Sequence, residues 1–226
     1  MAIKVAVIGA AGRMGQTVCA AVEEADGLDL VARVDIGDEL SAITAAGADV
    51  AVDFSVPTAA PGNVAWLIDH GVHAVVGATG WNEDKLAAVR ERLGADPAVG
   101  VLIAPNFALG AVLAMRFARI AAAFYESVEV IELHHPDKVD APSGTALHTA
   151  QLIDEARSAA GLAAPPDATN TGLVGARGAT VGDVHVHSVR LRGLVAHEEI
   201  LFGGPGEQLS IRHDSFDRVS FMPGVL

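Results

Sequence analysis

The sequence predicts an α/β protein in which a doubly wound parallel sheet is followed by a smaller α+β domain. Up to about residue 106, short β-branched runs alternate with Ala-rich amphipathic stretches, the pattern of βα units whose strands are covered on both faces. After residue 107 the pattern changes to long helical stretches and a group of alternating strands. Glycine is 24 of 226 residues, above the usual share of about 7% and without a G-X-Y period, so the excess belongs at tight turns and close backbone approaches.

In order, the first domain is expected at 1–106, with strands at 3–8, 30–34, 50–52, 72–76 and 99–103 and helices at 14–25, 40–46, 60–69 and 83–93, where apolar residues recur at three and four. The second domain is expected at 107–215, with helices at 111–125 and 145–160 and a strand at 128–133. A Pro/Gly/Ala-rich connection spans 161–182, and strands follow at 184–191, 199–202 and 208–212, the last two joined by Gly203-Gly204-Pro205-Gly206. Residues 216–226 are expected to return to the first domain. Cys19, among Ala20, Ala21 and Val22, reads as a small core residue.

Hydrophobic residues at 51% against 19% charged, with a mean hydropathy of +0.38, exclude disorder. The formal net charge of −13 argues against nucleic acid and anionic membrane surfaces as partners. One cysteine suits a reducing, cytoplasmic compartment, and no targeting segment is expected at the start. The uncharged stretch at 97–115 is split by Pro105-Asn106 and reads as strand then helix, not as a membrane span.

Gly9-Ala10-Ala11-Gly12-Arg13-Met14-Gly15 follows the first strand and opens the first helix, where unpaired N–H groups and the helix dipole favour a pyrophosphate. The glycines fall at every third position, so an ordinary tight turn stays open. Asp35, about twenty residues on at the end of the second strand, is placed to accept hydrogen bonds from ribose hydroxyls. No Arg or Lys follows it in Ile36-Gly37-Asp38, which favours NADH or dual use, while Arg13 and Arg33 keep NADPH open. Gly77-Ala78-Thr79-Gly80 and Ala104-Pro105-Asn106-Phe107 leave strands at the same sheet edge and are assigned to the nicotinamide side; as turn chemistry alone they need no ligand. Asp53-Phe54-Ser55 ends the third strand there, and Phe54 is placed to cover a ring.

The densest chemistry is Glu132-Leu133-His134-His135-Pro136-Asp137-Lys138-Val139-Asp140-Ala141-Pro142-Ser143-Gly144-Thr145-Ala146. His134 is a natural acid/base at neutral pH, Lys138 a cation for a carboxylate or oxyanion, and Ser143-Gly144-Thr145 a helix start for a substrate carboxylate. A polar strand end and a plain N-cap are the bland readings of the parts; together they describe a dianion site. His185, His187, His197 and His213 have no metal-ligand spacing, so no metal site is expected.

These motifs resemble the dihydrodipicolinate reductase family. The carriers are Val5-Ala6-Val7-Ile8 with the glycine turn, Asp53-Phe54-Ser55, Gly77-Ala78-Thr79-Gly80, Ala104-Pro105-Asn106-Phe107 and, above all, the run from Glu132 to Ala146. The resemblance covers essentially the whole chain. It implies a Rossmann-like nucleotide domain with a substrate and tetramerisation domain, and NADH- or NADPH-dependent reduction of 4-hydroxy-tetrahydrodipicolinate in the diaminopimelate route to lysine. It also implies His134 as catalytic acid/base, Lys138 as proton donor, and His135, Lys138, Gly144 and Thr145 as substrate contacts. Gly9, Ala10, Ala11, Gly12, Arg13, Met14, Asp35, Gly77, Ala78, Thr79, Ala104, Pro105, Asn106 and Phe107 are the implied cofactor contacts. Ala78 stands where many members carry Thr, and members usually continue past Leu226 into a terminal helix that packs on the nucleotide domain. The family's homotetramers pair their sheets, in line with an expectation from the strands themselves: two helices cover one face, leaving Val184, Val186 or their neighbours on a face that needs a partner. A polar outer face carrying His185 and His187, with a monomer in solution, is the alternative. Other functional readings are a different nicotinamide reductase of amino-acid metabolism, or an NAD(H)-sensing module without turnover.

Overall fold

In the computed structural model, which describes residues 2–226, the chain divides into two units. One runs to Phe107 and takes in Phe221–Leu226; the other is Ala108–Ser220. The first is built on parallel strands β1 (Ile3–Ile8), β2 (Leu28–Val34), β3 (Val50–Asp53), β4 (His73–Val76) and β5 (Val101–Ile103) in the order β2-β1-β3-β4-β5. Alternation along β1 decides which residue serves which layer. Ala6 and Ile8 join a core with Ile43, Val64 and Leu67, from α2 (Ser41–Ala45) and α3 (Ala60–Asp69), which α4 (Glu83–Leu93) extends through Val89. Val5 and Val7 face the other way, toward Val18, Cys19 and Val22 of α1 (Arg13–Glu24). The strand order reverses between β1 and β3, so the carboxyl ends of these two strands flank the crevice where open α/β sheets bind ligands.

The second unit has β6 (Ser127–His134) at the centre of the order β10-β9-β6-β8-β7, with β7 (Ala179–Val181), β8 (Val184–Arg190), β9 (Ala196–Gly204) and β10 (Glu207–Ser215). The β6/β8 pair is parallel and the other pairs are antiparallel. The strand β7 lies inside the stretch expected to be a plain connection. Helices α5 (Leu109–Ala121) and α6 (Gly144–Ala159) supply Ala114, Ala118, Ala146, Ala150 and Ile153 to a core shared with the sheet. Here the expected side for two valines is corrected: Val184 and Val186 are buried with Val128, Val130, Ile200 and Phe202 against these helices. Register puts Glu129, Ile131, Leu133, His185 and His187 on the opposite face. There His187 Nε2 lies 2.7 Å from Glu129 Oε2, Arg177 also pairs with Glu129, and His185 Nε2 sits 3.7 Å from Asp167.

After a short 3-10 turn (Arg218–Phe221), α7 (Met222–Val225) places Met222 and Val225 in the core with Val18, Val22 and Phe107. Gly224 is required there because a Cβ would run into the Phe107 carbonyl.

Arg157 of α6 is 3% exposed and donates to the carbonyls of Tyr125 (2.6 Å), Glu126 (3.0 Å) and Ala163 (2.9 Å), fastening the segment before β6 and the chain after α6 to one side chain. Arg157→Met keeps the apolar stem and strands these acceptors, with an expected loss of about 2–4 kcal/mol. Urea unfolding of the full chain checks this as a lower midpoint; an unchanged midpoint means that water satisfies the carbonyls equally well.

Candidate active site

The glycine turn of the first unit is set by close packing. Gly9 has φ +77°, its N–H donates to Val34 O (2.8 Å), and a Cβ on it would stand 2.8 Å from the Phe54 carbonyl. A Cβ on Gly15 would overlap the Gly9 carbonyl, so helix and turn approach this closely only with glycine at both places. Gly12 caps α1 without a side chain, and no acidic residue lies in the first turn. The leading N–H groups of a helix in that state are donors for an external anion.

The Asp35 carboxylate accepts from the N–H of Ala11 (2.6 Å) and of Ile36 (2.8 Å), and these bonds hold it below the usual carboxylate range. It thus stands ionised at the mouth of the turn. A cleft of about 390 Å³ opens there, lined among others by Gly9, Gly12, Asp35, Gly37, Phe54 and Asn63. An uncapped helix start beside an ionised carboxylate is the donor and acceptor set that a dinucleotide's pyrophosphate and ribose diol require, so these residues fit the cofactor. Arg33, which kept a 2′-phosphate open, is ion-paired with Glu23.

Of the remaining positions singled out in the first unit, Ala11, Arg13, Thr79 and Pro105 are exposed, and Met14, Gly77, Ala104 and Asn106 are half-buried. Ala10, Ala78 and Phe107 are buried, so their side chains serve the core and leave only backbone for a ligand. Buried Asp53 organises this edge, a role not foreseen. Its carboxylate accepts from Ser55 N (2.7 Å) and Asn63 Nδ2 (2.9 Å), and its carbonyl accepts from Gly77 N (2.9 Å) and Ala78 N (3.3 Å). Phe54 rests on Gly77, where a Cβ would strike the ring, and its ring centroid is 5.9 Å from that of Phe107.

In the second unit the reactive segment hangs from one carboxylate. Glu132 continues the inward row Val128, Val130 on β6 and is fully buried. Its Oε2 is bonded to His134 Nδ1 and accepts from Arg190 (2.9 Å); its Oε1 accepts from Arg190 (2.8 Å) and Ser143 N (3.2 Å). Burial alone would raise its pKa, but hydrogen bonds from His134, Arg190 and Ser188 hold it at about 2. Arg190 also donates to the Asp140 carbonyl (2.7 Å). Lys138 Nζ lies 2.6 Å from Asp140 Oδ1. The Ala141–Pro142 peptide is cis, and α6 begins at once after Ser143, whose Oγ accepts from Ala146 N (3.2 Å). Ser143 is therefore an N-cap. Next to it Gly144 is exposed, with open space where a Cβ would stand, and Thr145 is half-buried. His134, His135, Lys138, Gly144 and Thr145 thus belong to one corner of the second unit.

Glu198 of β9 lies beside Glu132 in register and is buried. Burial lifts its pKa to about 7, against a hydrogen bond from Thr149 and with the Glu132 charge adding to the rise. Neither Arg190 nor Glu198 was singled out from sequence. The available signal was a charged residue interrupting an apolar period-2 row, as Glu132 does in Val128-Val130-Glu132. Among the described residues no group of three or more His, Cys, Asp or Glu side chains is arranged to hold a metal ion, and no helix is long and apolar enough to cross a membrane.

Comparison with known proteins agrees across the chain. Residues 3–107 match the family model described as dihydrodipicolinate reductase, N-terminus, and residues 110–226 match its C-terminal counterpart. A 4-hydroxy-tetrahydrodipicolinate reductase of Nocardia farcinica is 63% identical over 226 residues, covering 100% of this chain and 91% of the relative. One from Streptomyces coelicolor is 57% identical over 224 residues, covering 99% and 90%. The solved structure of a dipicolinate-bound dihydrodipicolinate reductase from Paenisporosarcina sp. TG-14 superposes with a TM-score of 0.84 at 39% identity, covering 100% of this chain and 92% of that one. A myo-inositol dehydrogenase of Corynebacterium glutamicum, at 12% identity and a TM-score of 0.59 over 95% of this chain and 75% of that one, shares the fold alone. With both halves matched in order and relatives near-identical in extent, the chain belongs to the dihydrodipicolinate reductase family.

Proposed function

We propose that the chain converts 4-hydroxy-tetrahydrodipicolinate, which loses its 4-hydroxyl as water to give a conjugated cyclic imine dicarboxylate, to tetrahydrodipicolinate by two-electron reduction, the diaminopimelate-route step toward lysine, with NADH favoured or both nicotinamides used. As a member of its family it is a nicotinamide-dependent oxidoreductase. The single observation that carries the site assignment is the corner in which His134, Lys138 and the α6 start are all hung from Glu132. The dipicolinate in the Paenisporosarcina protein, a planar ring with two carboxylates, is the ligand class that such a corner suits.

When bound, the cofactor would supply a hydride to the ring carbon at the far end of the C=C conjugated with the imine, so that electron density shifts toward the ring nitrogen and the C=N is kept in the product. The α1 start and Asp35 hold its pyrophosphate and ribose, with backbone contacts from Ala10, Ala78, Ala104 and Phe107. One substrate carboxylate sits at Gly144 and Thr145, while Lys138 and His135 balance the rest of the dianion. His134, with Nδ1 on Glu132, keeps Nε2 to move the proton that the ring takes up after electron density has shifted toward its nitrogen, and Lys138 is the second donor. Positioning and electrostatics do most of the work.

Following reduced-nicotinamide absorbance with enzymatically generated substrate tests the reading; cofactor binding without substrate-dependent consumption selects a sensing module instead. His134→Ala or Lys138→Ala is expected to lower kcat by about 10²–10⁴-fold while leaving NADH affinity nearly intact. A full-rate His134→Ala enzyme would falsify its acid/base role. Asp35→Ala removes a charged acceptor worth roughly 1.5–3 kcal/mol to a bound hydroxyl, so NADH binding should weaken about tenfold or more and NADPH less. Fluorescence titrations that show both cofactors unaffected put Asp35 outside the ribose contacts.

The chain is further proposed to work in the cytoplasm as a homotetramer. Ile131 and Leu133 share the outer sheet face with the ion pairs of Glu129 and His187, a mixed surface suited to sheet-on-sheet packing in closed symmetry. Light scattering at low micromolar concentration should give a mass near four chains; a mass near 23.1 kDa sinks the assembly.

A further inference from the structure

We propose that Glu132 and Arg190 act together as positioning residues that fix the proton of His134 on Nδ1 and leave Nε2 as its working nitrogen. The proposal rests on the reading of His134 as the acid/base group. Its first support is the placement of Glu132. The row Val128, Val130, Glu132 faces the helix-covered core, and Glu132 has no solvent exposure. Apolar residues in place of the whole Glu132–Arg190 pair would fill the site at least as stably, because a buried ion pair seldom repays its desolvation. Stability therefore does not account for a carboxylate here.

Hydrogen-bond chemistry gives the second support. Both oxygens of Glu132 receive donors: two nitrogens of Arg190 at 2.8 and 2.9 Å, the Ser143 N–H at 3.2 Å, and the ring nitrogen Nδ1 of His134. An ionised carboxylate only accepts, so Nδ1 has to carry a hydrogen, and the other nitrogen becomes the one that gains and loses a proton. Arg190 has a separate part. Its guanidinium balances the charge of the carboxylate where that carboxylate faces the His134 ring. The Arg190 bond to the Asp140 carbonyl ties this balance to the loop bearing Lys138.

The remaining charged and titratable groups around this cluster come from each neighbouring strand, helix and loop. Glu198 on β9 adjoins Glu132 in register, Thr149 of α6 donates to Glu198, and His213 on β10 is paired with Glu198 in register, its pKa lowered by burial. The Lys138–Asp140 pair lies in the loop. None of these reaches Nδ1 in place of Glu132.

The test uses the full chain with cofactor and substrate. In ¹⁵N-histidine NMR at neutral pH or above, the neutral His134 ring is expected to be protonated at Nδ1; an Nε2–H tautomer overturns the proposal whatever the kinetics. In kcat–pH profiles, Glu132→Gln should move the basic limb down by about one pH unit and Arg190→Met should move it up by a similar amount, because one removes a negative and the other a positive charge from the same cluster. Arg190→Lys should restore the limb while recovering only part of kcat. Each single variant should lower kcat about 10–100-fold with substrate and cofactor KM changed less than about threefold, effects that general loosening of the fold would not separate. Limbs that move together or stay in place overturn the proposal. So does a Glu132→Gln/His134→Gln double variant that is slower than His134→Gln by the full Glu132→Gln factor. Wild-type kcat in His134→Gln removes the acid/base reading, and the NMR tautomer still decides what Glu132 and Arg190 do. If Glu132→Gln does not fold, the Arg190 variants and the wild-type tautomer carry the decision.

Discussion

A single fully buried carboxylate, Glu132, determines the shape of the reactive corner. Four pieces of chain converge on it: the end of β6 through His134, the end of β8 through Arg190, the loop through the Arg190 contact with Asp140, and the residue that caps α6 through the Ser143 N–H. None of the four has a fixed position by itself, since strand ends and loops are where backbone order is weakest. A carboxylate that must satisfy all its lone pairs once water is excluded tolerates few arrangements of these donors. The geometry of His134 and of the α6 start is thus set by one buried carboxylate.

The two candidate anion-holding helix starts are finished differently, and the difference divides the labour between them. At α1 the cap is Gly12 and contributes no side chain, so the leading N–H groups and the turn itself are available to a pyrophosphate. At α6 the cap is Ser143, whose hydroxyl already accepts from Ala146 N. Less of that terminus remains for a ligand, and side-chain cations must carry more of a dianion's charge. Room is supplied instead at Gly144, exposed and with open space where a Cβ would be. On the proposed reading, one site would be made by backbone donors and the other by backbone donors supplemented by His135 and Lys138.

Local periodicity made the first unit almost fully legible: α3 and α4 fall at 60–69 and 83–93 as the three-and-four spacing required, and β1 at 3–8. Where a signal was short or two-sided, reading from sequence failed. The strand β7 has three residues between Gly178 and Gly182, too few to show a period. Alternation in β8 announced two faces without stating which was inside, and the inward face proved to be Val184 and Val186, not His185 and His187. The glycine turn, Asp35 and the run from His134 to Thr145 were visible because each is contiguous or at a fixed offset. The partnership of Glu132 with Arg190 was not, because 58 residues separate them and only the parallel pairing of β6 with β8 brings them side by side.

The two cationic side chains of the reactive corner, Arg190 and Lys138, differ in what they are free to do. Against a formal net charge of −13, a dianionic substrate meets a chain that repels it except where cations are concentrated. Arg190 is one such cation, but its guanidinium is committed to a buried carboxylate, and separating them would leave Glu132 without its guanidinium, a loss of about 3–5 kcal/mol for pairs of this kind. Lys138 is paired with Asp140, whose side chain is 49% exposed, and exposed pairs contribute only about 0–1 kcal/mol. Under the proposed reading, a substrate carboxylate would displace Asp140 from Lys138 at little expense, because the released aspartate returns to water. The same exchange at Arg190 has no such outlet. The corner therefore keeps one cation as fixed framework and offers the other, and the burial of the partner carboxylate decides which is which.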